Sequence, residues 1–164
     1  MLKEEYKQFI AKASTDKEVI KKSFQKLKQK KPKDLDSSFH ALHGKAFDKV
    51  DCLQCANCCK TTSPIFRDVD IKRISKILRM KEQHFVDQYL RKDEDGDLVL
   101  KQSPCAFLGS DNKCLIYEHR PLACREYPHT DRKNMYQILE LTERNTLICP
   151  AVAKVVDEII LKYN

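Results

Sequence analysis

Four cysteines, Cys52, Cys55, Cys58 and Cys59, follow one another as C-x2-C-x2-C-C, and no other feature of the chain narrows its possible folds as much. Two-residue gaps let a backbone curl so that successive sulfurs, with some neighbouring N–H groups, point toward one centre, the arrangement of zinc knuckles and iron–sulfur loops. Few spacings meet that geometry, so a block of small buried hydrophobes is a poor account of it. Cys58 and Cys59 pose a separate problem. Adjacent side chains diverge, so both cannot enter one tetrahedral shell without strain. They are expected to face two centres, or one of them to be a supporting or free thiol.

Four more cysteines follow singly at Cys105, Cys114, Cys124 and Cys149. Taken alone, each is about as readily a small buried hydrophobe as a ligand. Taken with the block they make eight, two sets of the four ligands that a structural zinc ion or a [4Fe–4S] cluster takes. One centre with four supporting cysteines fits the same count. The run Cys52, Cys55, Cys58 with a remote Cys149-Pro150 is similar to ferredoxin-type ligation and tilts the choice toward iron–sulfur. Zinc stays open, because tetrahedral thiolates suit both.

The cysteines are too sparse to be a disulfide framework: eight in 164 residues lies below the roughly 8–10% that marks a short secreted scaffold. The opening MLKEEYKQFI is charged and amphipathic, without the apolar stretch of a secretory signal, and no apolar run approaches the ~20 residues that span a bilayer. The expectation is therefore a soluble, cytoplasmic protein with reduced thiols. The formal charge of +7 counts every cysteine as neutral. Eight thiolates around two zinc ions would remove four of those charges. The basic excess concentrates between Lys21 and Lys33, where Phe24 and Leu27 turned inward make it the wet face of a helix more simply than a nucleic-acid site.

Periodicity predicts a mainly α fold: a small helical domain with a cysteine-rich, loop-dominated metal core and at most a short β-hairpin. Residues 1–50 read as an N-terminal helical segment packed on that core, and 51–164 as the cysteine-cluster domain, the whole forming one compact unit. Tyr6, Phe9, Ile10 and Ala13 mark a first helix. Thr15 and Glu18 have the spacing of a capping box for a second, which Pro32 ends. Phe39, Leu42, Ala46, Phe47 and Val50 mark a third. Asp68 or Asp70 can cap a helix that turns Ile71, Ile74, Ile77 and Leu78 inward, and Phe85 to Leu90 continue in helical pairings. Asp93–Asp97 reads as a turn. Leu98–Leu100 reads as a short strand, paired with 113–116 across the turn at Gly109–Asn112. The period of 135–141 fits strand or helix. From Pro150, a good first helical residue, Val152, Val155, Val156, Ile159, Ile160 and Tyr163 form a sustained core stripe.

The cysteines and their neighbours form a larger pattern: Cys52-Leu-Gln-Cys55-Ala-Asn-Cys58-Cys59, Pro104-Cys105-Ala-Phe-Leu108, Cys114-Leu-Ile-Tyr117, Arg120-Pro121 and Cys124-Arg125-Glu-Tyr127-Pro128. Over roughly residues 50–150 this resembles the YkgJ-type CxxCxxCC cysteine-cluster family, described as a zinc- or iron-chelating domain of bacterial proteins. The resemblance implies metal binding by all eight cysteines. A similar cysteine set occurs in flagellin lysine N-methylases, which makes a metal-dependent protein-modifying enzyme the alternative to a redox, metal-handling or partner module. A zinc-stabilised structural or nucleic-acid-binding module is a further alternative. No acid–base pair or nucleotide loop supports a stand-alone methyltransferase, so the enzyme reading rests on the resemblance. Arg120 and Arg125 bracket Cys124 and are candidates to donate hydrogen bonds to its sulfur, or else to hold Glu118 or Glu126. The five histidines read as polar surface residues. The expected partners are a metal ion or cluster and a protein, with no membrane.

Overall fold

The computed structural model describes residues 2–164. It is mainly helical, and the only sheet among the described residues is a two-stranded antiparallel one. The chain divides into two compact units, one of Met1–Cys55 with Pro128–Asn164, the other of Ala56–Tyr127.

The first unit holds α1 (Glu4–Thr15), α2 (Lys17–Lys30), α3 (Leu35–Phe47) and the single turn α4 (Cys52–Cys55), then α9 (Leu139–Asn145) and α10 (Pro150–Tyr163). Its centre is α10, which packs on α1, α2 and α3. Pro150 occupies the first turn, where its missing N–H costs nothing, and Val152, Val155, Val156 and Ile159 are all buried. Burying four such side chains is worth about 1.5–3 kcal/mol each before chain entropy is charged. On α2, Ile20, Phe24 and Leu27 are buried while Lys21, Lys22, Lys26, Lys28 and Lys30 are exposed, as the amphipathic pattern requires. Lys31, left-handed at φ 45°, ends α2 just before Pro32.

The capping box expected at Thr15 and Glu18 does not form. Thr15 is the last residue of α1 and its hydroxyl donates to the Ala11 carbonyl, so α2 begins after Asp16 instead. The segment of ambiguous period resolves into a 3-10 turn, Met135–Gln137, followed by α9. Asp36 of α3 accepts the N–H groups of Asn134 (2.7 Å) and Met135 (2.9 Å) at the start of that turn. His43 is not a free surface histidine: its ring lies against Phe47 and Nδ1 is 2.8 Å from the buried Thr130 hydroxyl.

The second unit holds α5 (Asn57–Thr61), α6 (Asp68–Ile77), α7 (Glu82–Tyr89), β1 (Leu90–Lys92), β2 (Leu98–Leu100) and α8 (Leu122–Glu126), with a 3-10 turn at Tyr117–His119. Phe66, Ile71, Ile74, Phe85, Leu90, Leu100, Phe107 and Ile116 form its core, and Cys105 and Cys114 pack against it. The turn at Asp93–Asp97 is present, with the Asp93 carboxylate accepting N–H bonds from Asp95 and Asp97. It joins β1 to β2 in antiparallel register, Leu90 opposite Leu100. The strand expected at Leu98–Leu100 is thus correct and its expected partner is not. Residues 113–116 instead fold back on Phe107 and Leu108, through a bridge between Leu108 and Cys114.

Candidate metal centre

Five cysteines lie in the second unit and three in the first, and no disulfide joins any of them. Cys58 and Cys59 sit on α5, a single short turn that begins after Ala56, itself buried and left-handed at φ 48°. The Cys59 carbonyl accepts the Cys105 N–H at 2.8 Å, and the Ser103 hydroxyl donates to the Lys60 carbonyl at 2.7 Å. Two backbone-directed bonds therefore seat the segment carrying Cys105 against the end of α5.

Cys105 and Cys114 occupy the two arms of a tight hairpin. Gly109 N–H donates to Lys113 O and Leu115 N–H to Phe107 O, both at 2.8 Å. A side chain at Gly109 would meet Asp111 Oδ1 at 2.8 Å and Lys113 O at 3.2 Å, so this close approach needs glycine. In each arm the sulfur is served by the backbone just beyond it. Phe107 N–H points at Cys105 Sγ at 3.4 Å, and the N–H of Ile116 serves Cys114. Such N–H···S bonds favour the thiolate over the thiol.

Cys124, on α8, completes this group. Burial pushes its thiol up to about 12, and the charges of Cys59, Cys105 and Cys114 push in the same direction. Burial also raises Cys105 and Cys114, each further raised by Cys59. Cys59 is the exception. A hydrogen bond from Cys58, opposed by burial and assisted by the charges of Arg120 and Lys60, brings it down to about 7. Four thiols thus lie within one another's electrostatic influence, and Cys59 is the one brought down toward neutral pH, with Cys58 as its hydrogen-bond donor.

Arg120 supplies the positive charge felt by Cys59, Cys114 and Cys124. Its guanidinium stacks on the Tyr117 ring at 3.6 Å, and its Nε donates to the Tyr117 carbonyl at 2.8 Å. Arg125 donates its Nε to the Arg120 carbonyl at 3.0 Å. Asp70 and Arg73 of α6 were not visible as site residues in the sequence, yet both hydrogen-bond the backbone that leads to Cys124. Asp70, 1% exposed, accepts the Arg73 guanidinium at 2.8 Å and the Leu122 N–H at 3.3 Å, while Arg73 reaches the Arg120 carbonyl at 2.8 Å.

In the first unit, Cys149 stands immediately before α10. Its thiol is pushed up to about 12, first by burial, and the N–H groups of Val152 and Ala151 oppose that rise by bonding the sulfur. Cys52 and Cys55, on α4, lie close enough that their charges add to the rise. Tyr6 fixes the entry to α4: its hydroxyl accepts the Asp51 N–H at 3.1 Å and lies 3.4 Å from the Lys49 carbonyl as donor. The eight cysteines therefore sort into Cys59, Cys105, Cys114 and Cys124, with Cys58 hydrogen-bonded to Cys59, in one unit, and Cys52, Cys55 and Cys149 in the other. Among the described residues no three histidine, cysteine or carboxylate side chains converge at ligand distance. No described helix is long and apolar enough to cross a membrane.

A family model named CxxCxxCC, described as a putative zinc- or iron-chelating domain, matches residues 51–150, well over half of the 164. No curated protein and no solved structure is similar enough to match.

Proposed function

From the membership of this chain in the CxxCxxCC family of zinc- or iron-chelating domains, we infer that Cys59, Cys105, Cys114 and Cys124 together hold one zinc or iron ion as thiolates. The observation that carries this reading is the grouping itself: four thiols from α5, both arms of one hairpin and α8, brought together in the second unit. The donor set fits such an ion. Two of the sulfurs already receive backbone N–H bonds, and Arg120 opposes the charge that four thiolates leave around a divalent metal. When bound, the ion supplies the positive centre that keeps these buried thiols ionised.

Four thiolates fill a tetrahedral shell, which is the chemistry of a structural or electron-carrying centre and not of a hydrolytic one with an open position. The reading is accordingly a metal-holding or redox module. Cys52, Cys55 and Cys149 form a second donor group, with Cys149 held by backbone N–H at the start of α10. An iron–sulfur cluster is the alternative occupant, favoured by the Cys149-Pro150 pair.

Purification without oxygen, followed by zinc, iron and acid-labile sulfide analysis, tests this. Zinc or iron without sulfide, lost from the second unit in Cys114→Ser and Cys124→Ser, is the expected result. Iron with stoichiometric sulfide selects a cluster. A folded, metal-free protein that takes up neither zinc nor ferrous iron overturns the proposal.

A further inference from the structure

Arg120 and Pro121 join the end of the 3-10 turn, at His119, to the start of α8, at Leu122, and themselves belong to no regular element. Their backbone must find hydrogen bonds elsewhere. It finds them on one pair of side chains from the first turns of α6. Arg73 Nη2 donates to the Arg120 carbonyl at 2.8 Å and to the His119 carbonyl at 3.3 Å. Asp70 Oδ1 accepts the Leu122 N–H at 3.3 Å and is itself held by Arg73 at 2.8 Å. Pro121, between them, has no N–H to satisfy. One ion pair, its carboxylate buried and its guanidinium partly exposed, thus grips carbonyls and an amide on both sides of Pro121, and Cys124 follows in the same turn, its N–H on the Pro121 carbonyl at 3.0 Å.

A cap for α6 alone would not need this arrangement. Asp70 Oδ2 already serves the cap by accepting the Arg67 N–H at 3.1 Å, leaving Oδ1 and Arg73 Nη2 turned to the Cys124 segment. Burying a carboxylate is expensive unless it is paired and fully hydrogen-bonded, and this one is, on three sides.

We propose that Asp70 and Arg73 are positioning residues for the thiolate centre, clamping the Arg120–Leu122 backbone so that the Cys124 sulfur and the Arg120 charge meet Cys59, Cys105 and Cys114. This rests on the metal reading above, and its test is chosen to fail separately. Asp70→Asn keeps an oxygen for the Arg67 cap and removes the charge that holds Arg73. Arg73→Lys keeps the charge and can serve only part of the acceptor set.

The measurements are zinc affinity by chelator competition, the visible spectrum of the cobalt(II)-substituted protein, and amide exchange of the metal-free protein. Asp70→Asn is expected to weaken zinc about 10- to 100-fold, the usual scale for partners that orient ligands, and to shift the cobalt bands as one thiolate is displaced. Arg73→Lys, the milder change, should show a smaller loss of the same kind and serves as the readout should Asp70→Asn fail to fold. Adding Cys124→Ser to Asp70→Asn should weaken zinc less than Cys124→Ser does alone in the wild type, since the clamp acts through that ligand. In the metal-free protein, exchange should rise at 122–126 and stay unchanged at 105–116. Wild-type zinc binding with variants of equal affinity and unchanged cobalt spectrum overturns the clamp. Absence of metal binding by the wild type overturns the metal reading instead, and unchanged exchange at 122–126 would then overturn the clamp as well.

Discussion

Phe85 is the side chain whose loss should show most clearly that the thiol hairpin is built on the core beneath it. It is fully buried, and its ring faces Phe66 at 6.0 Å, Tyr89 at 5.2 Å and Phe107 at 6.2 Å. Truncating a buried Phe to Ala costs about 3–5 kcal/mol in lost burial and residual cavity. Each ring pair carries about 0.5–1.5 kcal/mol beyond area, part of it already in that figure, so Phe85→Ala should cost about 4 kcal/mol. Phe85→Leu refills most of the volume and should cost about 1–1.5 kcal/mol, mostly from the ring contacts. Phe107 couples this loss to the site, because its N–H points at Cys105 Sγ and its carbonyl holds the Leu115 N–H beside Cys114. The assay is urea unfolding alongside alkylation of Cys105 and Cys114 read by mass spectrometry. Both thiols should label faster in Phe85→Ala, and zinc at 100 times its Kd should return about 2.7 kcal/mol of the stability. A cost under about 1.5 kcal/mol, or a full cost with labelling of both cysteines unchanged, would refute the coupling.

Other consequences follow from single residues. Burial raises the Asp70 carboxyl, but the Arg73 hydrogen bond and the Arg67 and Leu122 N–H groups outweigh it and hold the group below its ordinary 3.8. Its contribution to stability is therefore complete above about pH 4–5 and is lost as the pH falls through the lowered value, so unfolding curves in acid should show a slope that Asp70→Asn diminishes. Gly109→Ala forces a methyl against Asp111 Oδ1 and Lys113 O and should destabilise the hairpin by about 1–3 kcal/mol, measured by the urea midpoint with and without zinc. Ala56 holds a left-handed φ of 48° that costs an L-residue about 1–2 kcal/mol, so Ala56→Gly should be neutral or slightly stabilising in the same assay, and Ala56→Val destabilising.

The helices that were legible in the sequence are those whose stripe runs for about two turns or more. Ile20, Phe24 and Leu27 announce α2, and Val152 to Ile159 announce α10, because the same residues that set the period are the ones buried. Short elements carry too few residues for a period to decide. Leu98–Leu100 was readable as a strand, but its partner Leu90–Lys92 has one apolar residue and two exposed basic ones, so nothing in that stretch advertises pairing. Thr15 and Glu18 satisfy the spacing of a capping box, yet spacing cannot tell that α1 continues through Thr15.

The candidate site divides in the same way. The eight cysteines were visible by residue type and spacing, and adjacency suggested different environments for Cys58 and Cys59; the structure adds a hydrogen bond from Cys58 that lowers the Cys59 thiol. Which cysteines share a neighbourhood was not visible, because it depends on the chain closing over long intervals, from Cys59 to Cys124 and from Cys55 to Cys149. Asp70 was visible only as a helix cap. Its other half, the Leu122 N–H fifty-two residues away, leaves no local pattern.

The most direct test of the four-thiolate centre is titration of the reduced, metal-free chain with cobalt(II) under anaerobic conditions, followed by displacement with zinc. Intense thiolate-to-cobalt absorption with tetrahedral bands, cut back in the Cys59, Cys105, Cys114 and Cys124 series and bleached by zinc, is the predicted result. Cobalt bands unchanged in position and intensity when any two of those four cysteines are replaced by serine would contradict it.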